Sequence, residues 1–224
     1  MGTFLLVTGD VLWVIVYILL IKRGFQDRTY GMPMVALCAN ISWEFIFSFV
    51  HPDSPPQHWI DVVWFTLDTI ILFQFLYFGK SAFVNLSKKL FYPTFLLTLV
   101  TSFCCIILIT NEFSDWGGAY TAFGQNLMMS ILFIDMLLRR NTLLGQSIFI
   151  ALFKMMGTAL GAIGFYIVTP TRQGSLLLLF LYVASFVFDL IYVVMVAIKL
   201  KQTRNPYVLV GSFLTKEEKA TREI

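Results

Sequence analysis

The chain has 224 residues, of which 58% are hydrophobic and only 13% are charged, and its mean hydropathy is +0.79. A soluble domain averages about 45–50% apolar and about 25% charged residues, so this composition excludes an ordinary soluble globular fold. The formal net charge of +3 is modest and matters only through its distribution along the chain. The composition is typical of a protein whose solvent is the lipid bilayer.

Apolar runs long enough to cross a bilayer follow one another along the chain. A transmembrane helix needs roughly 20 apolar residues. Runs of this kind predict seven spans at about 4–21, 33–50, 59–79, 91–110, 119–138, 143–168 and 175–198. The connections are short and carry turn-forming residues. The sequence therefore predicts an all-α, polytopic membrane protein, with a seven-transmembrane-helix bundle over residues 1–203 and a cytosolic tail over 204–224.

The basic residues predict the orientation of the bundle. Arg172 alone lies on one side of the predicted membrane, and Lys154 lies inside the sixth run. The other fourteen cations fall on the opposite side: Lys22, Arg23, Arg28, Lys80, Lys88, Lys89, Arg139, Arg140, Lys199, Lys201, Arg204, Lys216, Lys219 and Arg222. Since cytosolic loops are enriched in Lys and Arg, we expect the N-terminus to be luminal or outside and the C-terminus to be cytosolic.

Strongly polar residues lie inside six of the seven runs, at similar distances from the basic side. They are Asp10, Glu44, Asp68, Gln125 with Asn126, Lys154 and Asp189. At 1.5 Å of rise per residue, their depths agree to within about 6 Å. Ionisable residues in a span are costly and usually functional. The sequence therefore predicts a buried polar pocket near the bilayer centre.

Several members of this set have an alternative structural interpretation. Lys154 is a candidate for an ion pair with Asp10 or Asp68. Asn40, one turn before Glu44, is a candidate for tying helices together through its amide group. The series of small residues at Gly157, Gly161 and Gly164 favours a close helix–helix contact over a ligand site.

The predicted pocket favours acid catalysis on a lipophilic substrate. Four acidic residues and one lysine would leave excess negative charge, so some carboxyl groups are expected to keep their protons in the low dielectric. The sequence has none of the motifs of nucleotide binding, metalloproteases or serine hydrolases, and no aspartate-rich DDxxD or DxDD motif. Its cysteines and histidines lack metal-ligand spacing. The seventh run has no internal lysine for a retinal Schiff base. We expect metal-independent chemistry without a cofactor.

Five short segments form a further pattern. Two of them carry the predicted carboxyl residues, NISWEF at 40–45 and FDLIY at 188–192. The other three are Trp64 with Asp68, GQNLMMS at 124–130 and KMMGT at 154–158. Together with the length and the seven-span layout, these segments resemble the small integral membrane terpene cyclases of fungal meroterpenoid and indole-diterpene pathways, such as pyripyropene, andrastin and paspaline biosynthesis.

The resemblance implies a reaction and roles for particular residues. In that family a separate flavin monooxygenase epoxidises the terminal alkene of a prenylated headgroup, and the cyclase protonates the epoxide and directs cationic ring closure. The resemblance implies that Glu44 and Asp189 are the catalytic carboxyl residues, with Glu44 as the principal acid and Asp189 as its partner. The expected substrate-binding or supporting residues are Asn40, Trp43, Trp64, Asp68, Gln125, Asn126, Lys154 and Tyr192.

The expected partners follow from this reaction. They are a lipophilic prenylated small molecule, membrane lipid, and functional coupling to a flavin monooxygenase and a prenyltransferase, with no nucleic acid. We expect an isomerase- or lyase-type enzyme in the endoplasmic reticulum membrane of a fungus, or in the plasma membrane of a bacterium. Two alternatives remain open: direct protonation of an alkene, and a seven-helix transporter or receptor that uses the carboxylates as a proton or substrate relay.

Overall fold

The structure, a computed structural model, describes residues 1–82 and 87–204. In these residues the chain forms seven α-helices: α1 (Gly2–Asp27), α2 (Met34–Phe45), α3 (Gln57–Phe78), α4 (Phe91–Glu112), α5 (Ala119–Arg140), α6 (Ile148–Val168) and α7 (Leu176–Arg204). The predicted seven-helix, all-α fold is thereby confirmed. The predicted tail lies outside the described residues from position 205 onward.

Six of the described helices, all except α2, are long and apolar enough to cross a membrane. The shorter α2 continues directly into a π-helical turn, Ile46–Val50, which ends with a hydrogen bond of 2.7 Å from the His51 N–H to the Ile46 carbonyl. With this turn, the segment 34–50 extends roughly 25 Å, close to the hydrocarbon thickness of about 30 Å. The protein is therefore a multi-pass integral membrane protein.

The predicted start of the sixth span at 143 is wrong, because α6 begins at Ile148. The residues before it form a turn in which Gly145 has a φ of +74°, a conformation that favours glycine. The Ser147 hydroxyl then accepts a hydrogen bond of 3.2 Å from the Ile150 N–H and caps the helix. A hydropathy run cannot reveal this cap, because the turn residues are themselves partly apolar.

The most extensive contact between two described helices joins α1 and α6. A Cβ atom added at Gly9 would lie 2.8 Å from the backbone oxygen of Gly157 and 2.8 Å from the backbone nitrogen of Gly161. One added at Gly164 would lie 2.6 Å from the Leu6 backbone nitrogen. The prediction that the small residues of the sixth span serve a close helix contact is therefore confirmed.

The two ends of the bundle differ in packing. The basic end holds the connections at 28–33 and 141–147 and the described residues 79–82 and 87–90, and the main hydrophobic core fills this half, with Leu20, Leu37 and Phe133 fully buried. The N-terminal end holds residues 1–6 and the connections at 51–56, 113–118 and 169–175. The assignment of the basic end to the cytosol stays a prediction from charge distribution.

Candidate active site

Four buried polar side chains from three helices form one hydrogen-bonded group, named here the carboxyl cluster: Tyr17, Asn40, Glu44 and Asp68. The Tyr17 hydroxyl donates to Glu44 Oε1 at 2.9 Å. The Asn40 amide nitrogen donates to Glu44 Oε1 at 3.2 Å and to Asp68 Oδ2 at 2.9 Å, and it also contacts the Tyr17 hydroxyl. One amide thus connects two carboxyl groups.

Helical spacing explains how the cluster forms. Asn40 and Glu44 are four residues apart on α2 and therefore lie on one face of that helix. Glu44 Oε2 and Asp68 Oδ1 accept no hydrogen bond from another residue in the described part of the chain, but the two carboxyl groups are within hydrogen-bonding reach of each other. Buried polar atoms are nearly always paired in proteins. A proton shared between the two carboxyl groups would pair both of these atoms.

A cavity of about 440 Å³ runs from the carboxyl cluster to the N-terminal end of the bundle. Tyr17, Asn40 and Glu44 line its inner end, beyond which the hydrophobic core is closely packed. Ser54 and Gly117, both exposed, line its mouth. The volume falls in the range of about 300–1,000 Å³ that is usual for small-molecule sites.

Aromatic rings form much of the cavity wall, with Trp13, Trp43, Trp64, Phe123 and Phe165 among the lining residues. The Trp43 indole is fixed in place, because its N–H lies 3.1 Å from both the Gly118 carbonyl and the Thr121 hydroxyl. The indole nitrogen of Trp64 has no partner in the described part of the chain. Rings of this kind can stabilise a cation that lies over their faces.

Further polar groups line the cavity between its two ends. Asp10, Gln125 and Asn126 all do so, and each has one buried polar atom without a partner among the described residues. The Thr158 hydroxyl donates to Asn126 Oδ1 at 3.4 Å and links α6 to α5 at this level. The predicted residues Asn40, Trp43, Glu44, Trp64, Gln125 and Asn126 therefore all lie on one cavity, with Asp68 bonded behind Asn40.

The interpretation of Lys154 as the partner of Asp10 or Asp68 is wrong, because Lys154 pairs with Asp189. Its Nζ atom lies 2.5 Å from Asp189 Oδ1 and donates to the Ser130 hydroxyl at 2.7 Å, and the side chains of the pair are fully buried. Neither Lys154 nor Asp189 lines the cavity. Lys154 and Asp189 lie at a similar depth in the membrane. Their positions around the axes of α6 and α7 direct the two side chains toward each other.

Tyr192 also lies away from the cavity. It is fully buried in the hydrophobic core beside Phe133, and its hydroxyl donates to Gln146 Oε1 at 3.2 Å. Tyr192, expected as a substrate-binding or supporting residue, is therefore not among the residues that line the cavity. Its position on α7, three residues after Asp189, places it one turn closer to the basic end, where the core is closely packed.

The mouth of the cavity is acidic and polar. Asp53, Ser54 and Gln57 line it, and the Gln57 amide nitrogen donates to Asp61 Oδ1 at 2.9 Å. Burial, together with the nearby Asp115 carboxylate, raises the pKa of Asp53 to about 6, and the neighbouring His58 opposes this rise. The lining residues include neither lysine nor arginine.

An ion pair stands beside this mouth. Arg172 Nη2 lies 2.7 Å from Asp115 Oδ1, and the side chain of Asp115 is buried. Asp115 Oδ2 also accepts a hydrogen bond of 2.7 Å from the Tyr120 N–H. These contacts join the α4–α5 connection to the α6–α7 connection.

Sequence reasoning missed Trp13 and Tyr17 as members of the site. Both follow Asp10 on α1 at intervals of three and seven residues, which places all three on one helix face. That spacing was a usable signal, because an aromatic hydroxyl on the same face as a buried carboxyl group rarely lacks a polar partner. Among the described residues, no three His, Cys, Asp or Glu side chains meet as a set of metal ligands.

The fold and the cavity define a multi-pass membrane protein with an acidic, aromatic-walled binding site. A family model for Pyr4-like transmembrane terpene cyclases matches residues 1–202, and the chain belongs to that family. The resemblance found in the sequence is thereby confirmed.

The curated relatives are fungal terpene cyclases. The Pyr4-family terpene cyclase mfmH of Annulohypoxylon moriforme is 39% identical over 77 residues, covering 34% of this chain and 32% of the relative. Terpene cyclase macJ of Penicillium terrestre is 29% identical over 167 residues, covering 70% and 64%. Terpene cyclase terB of Tolypocladium album is 30% identical over 158 residues, covering 65% and 62%. The chain thus spans less than two thirds of each of these relatives, and no solved structure matches it.

Proposed function

We propose that the protein is a terpene cyclase that protonates the terminal epoxide of a prenylated substrate and directs its cationic cyclisation. The observation that carries the proposal is the position of Glu44. Its Oε1 atom is held by Tyr17 and Asn40, and its carboxyl group lies within hydrogen-bonding reach of Asp68 at the inner end of a cavity with aromatic walls. Family membership supports the same chemistry.

The proposed reaction is a net isomerisation. The Glu44 carboxyl group gives its proton to the epoxide oxygen, and the bond from that oxygen to the more substituted carbon breaks. This leaves a hydroxyl group and a tertiary cation, which the π electrons of the chain's alkenes attack in turn to form new carbon–carbon bonds. The last cation then loses a proton, which restores the proton balance, and no oxidant or reductant is consumed.

The carboxyl cluster supports Glu44 as the donor. Glu44 and Asp68 bond to the same amide nitrogen, and two adjacent buried carboxyl groups do not both ionise readily in a low dielectric. We propose that Glu44 carries the proton, that Tyr17 and Asn40 fix its orientation, and that Trp13, Trp43 and Trp64 stabilise the cations along the chain. Cation–π stabilisation amounts to about 2 kcal/mol when desolvated.

The shape of the cavity gives the substrate a direction. The epoxide end reaches the inner end at Glu44, and the headgroup stays at the mouth near Asp53, Ser54 and Gln57. Because these residues mainly offer hydrogen-bond acceptors and no lysine or arginine is among the described lining residues, the mouth suits a headgroup with O–H or N–H donors and not a diphosphate.

The proposed substrate requires two preceding reactions, prenyl transfer to the headgroup and epoxidation by a flavin monooxygenase. Coupling to enzymes of these two classes is part of the proposal. So is location in the endoplasmic reticulum membrane, since the relatives are fungal.

The test is conversion by microsomes that contain the protein. We expect microsomes incubated with a panel of epoxidised prenylated aromatics to yield cyclised isomers of unchanged mass, detected by chromatography and mass spectrometry. The matched non-epoxidised compounds are included as a second arm. Cyclisation of those compounds alone would replace the epoxide step with direct alkene protonation, and turnover of neither set would contradict the proposed function.

The proposed contact between the headgroup and Asp53 at the mouth of the cavity predicts that the KM depends on pH. With its pKa near 6, Asp53 gains a proton and loses its charge as the pH falls through that value, so a donor headgroup is held less tightly. We expect the KM of the native protein to rise between about pH 7 and about pH 5, and the Asp53→Asn variant to lack this rise. An identical KM profile in the variant would refute a headgroup contact by Asp53.

A further inference from the structure

The buried pair of Lys154 and Asp189 has no place in the proton transfer described above. Both side chains are fully buried, and neither lines the cavity that holds Glu44. The pair joins α6 to α7, and Lys154 adds α5 through the Ser130 hydroxyl. A proton donor must reach its acceptor directly or through one water molecule. Asp189 Oδ1 is instead occupied by an ammonium group, and its Oδ2, which has no partner among the described residues, belongs to a side chain that does not line the cavity.

The pair is nevertheless close to the cavity wall, through Trp13. The Lys154 Nζ atom lies 5.5 Å from the centroid of the Trp13 ring. Trp13 itself lines the cavity, whereas Lys154 does not. The charge state of the pair therefore acts on one of the rings that face the substrate.

We propose that Asp189 is a positioning residue that acts through Lys154: it cancels and anchors the ammonium charge behind Trp13, and it is not the source of the proton. This inference rests on the proposed function. Without Asp189, the Lys154 head group loses its anionic anchor and is free to turn toward the π face of Trp13 and displace that ring from the cavity wall. A displacement of about 1 Å at an active site can slow an enzyme about 100-fold.

The proposal makes a prediction that an acid role for Asp189 cannot share. A buried ion pair can often be replaced by apolar residues of similar size without loss of stability, whereas removal of one partner is strongly destabilising. Replacing both partners with neutral residues therefore removes the Lys154 ammonium charge together with the Asp189 carboxylate charge that balances it. If Asp189 were an acid, the double variant would be inactive, because no carboxyl group would remain at that position.

The experiment compares Asp189→Leu, Lys154→Met and the double variant Lys154→Met/Asp189→Leu in microsomes with the epoxide substrate. Rates are taken per folded protein, with kcat and KM determined separately and partially cyclised products counted. We expect Asp189→Leu to lose at least tenfold in kcat and to release partially cyclised products, and we expect the double variant to return to within about threefold of the native kcat. A double variant as inactive as Asp189→Leu would overturn the proposal.

A second neutral pair, Lys154→Gln/Asp189→Asn, keeps a hydrogen bond between α6 and α7 and covers the case in which the apolar pair does not fold. The proposal requires that a neutral pair be sufficient for folding and activity. Failure of both double variants to accumulate in the membrane would therefore also overturn it. The native protein is the control that distinguishes failure of the proposed function from failure of the role assigned to Asp189. Its failure to cyclise any epoxide contradicts the proposed function, while native activity with inactive, folded double variants contradicts only the role assigned to Asp189.

Discussion

Replacing Glu44 with glutamine is expected to abolish most cyclisation while the protein still accumulates in the membrane. Glutamine keeps the size of the side chain and an oxygen that can accept from Tyr17, but it has no carboxyl proton to give. General acid catalysis contributes about 10²–10⁴-fold to a rate, so kcat should fall by at least about 100-fold. The measurement is product formation per folded protein in microsomes with saturating epoxide.

A matched control makes the same carboxyl-to-amide change elsewhere. Asp135 lies near the basic end, is partly exposed, and pairs with Arg139 at 2.7 Å. Surface pairs of this kind contribute little to stability, so Asp135→Asn should retain native activity. A Glu44→Gln variant that keeps kcat within tenfold of the native value would remove Glu44 as the proton donor.

Replacing Gly9 with alanine is expected to damage both stability and activity. The added methyl group would lie 2.8 Å from backbone atoms of Gly157 and Gly161, so α1 and α6 must move apart. Overpacking of this kind costs about 1–3 kcal/mol. The two helices also carry Trp13, Tyr17 and Thr158 in the cavity wall, and a displacement of about 1 Å can slow an enzyme about 100-fold. Thermal unfolding in detergent and product formation measure the two effects.

Gly124→Ala provides the comparison for Gly9→Ala. A Cβ atom at Gly124, in α5, meets no atom within 4 Å. Alanine is also favoured over glycine in a helix by about 1 kcal/mol. We expect this variant to match or exceed the native protein in unfolding temperature and to keep its activity. Equal behaviour of the two variants would contradict a tight α1–α6 contact.

The sequence predicted the helices well because membrane spans depend on local composition. Seven apolar runs became seven helices, and the errors lie at their ends: α1 ends at Asp27 and not at 21, α7 ends at Arg204 and not at 198, and α6 begins at Ile148 and not at 143. There, Gly145 and Ser147 form a turn and a cap inside a run that hydropathy treats as continuous. The π-helical turn after α2 was also beyond reach, since it depends on how one helix packs against its neighbours.

The sequence predicted how deep the site residues lie in the membrane, but not the direction in which each side chain points from its helix axis. Counting residues from the basic end placed Glu44, Asp68, Lys154 and Asp189 at one level, and the structure divides them into two groups. Glu44 and Asp68 meet through Asn40, while Lys154 and Asp189 meet each other. A depth calculation carries no information on helix rotation or neighbour order, which tertiary packing determines.

The mouth of the cavity constrains how a turnover must end. Among the described residues, the cavity reaches the N-terminal end of the bundle near the Asp115–Arg172 ion pair, and the hydrophobic core lies beyond its inner end. On the proposed function, a flexible chain enters by this route, and a wider and rigid polycycle that leaves by it needs more room. Departure then requires the connections around the opening to part, a step that often limits the rate of well-evolved enzymes. The slowest event in the cycle is therefore expected to be escape of the product and not the formation of its rings.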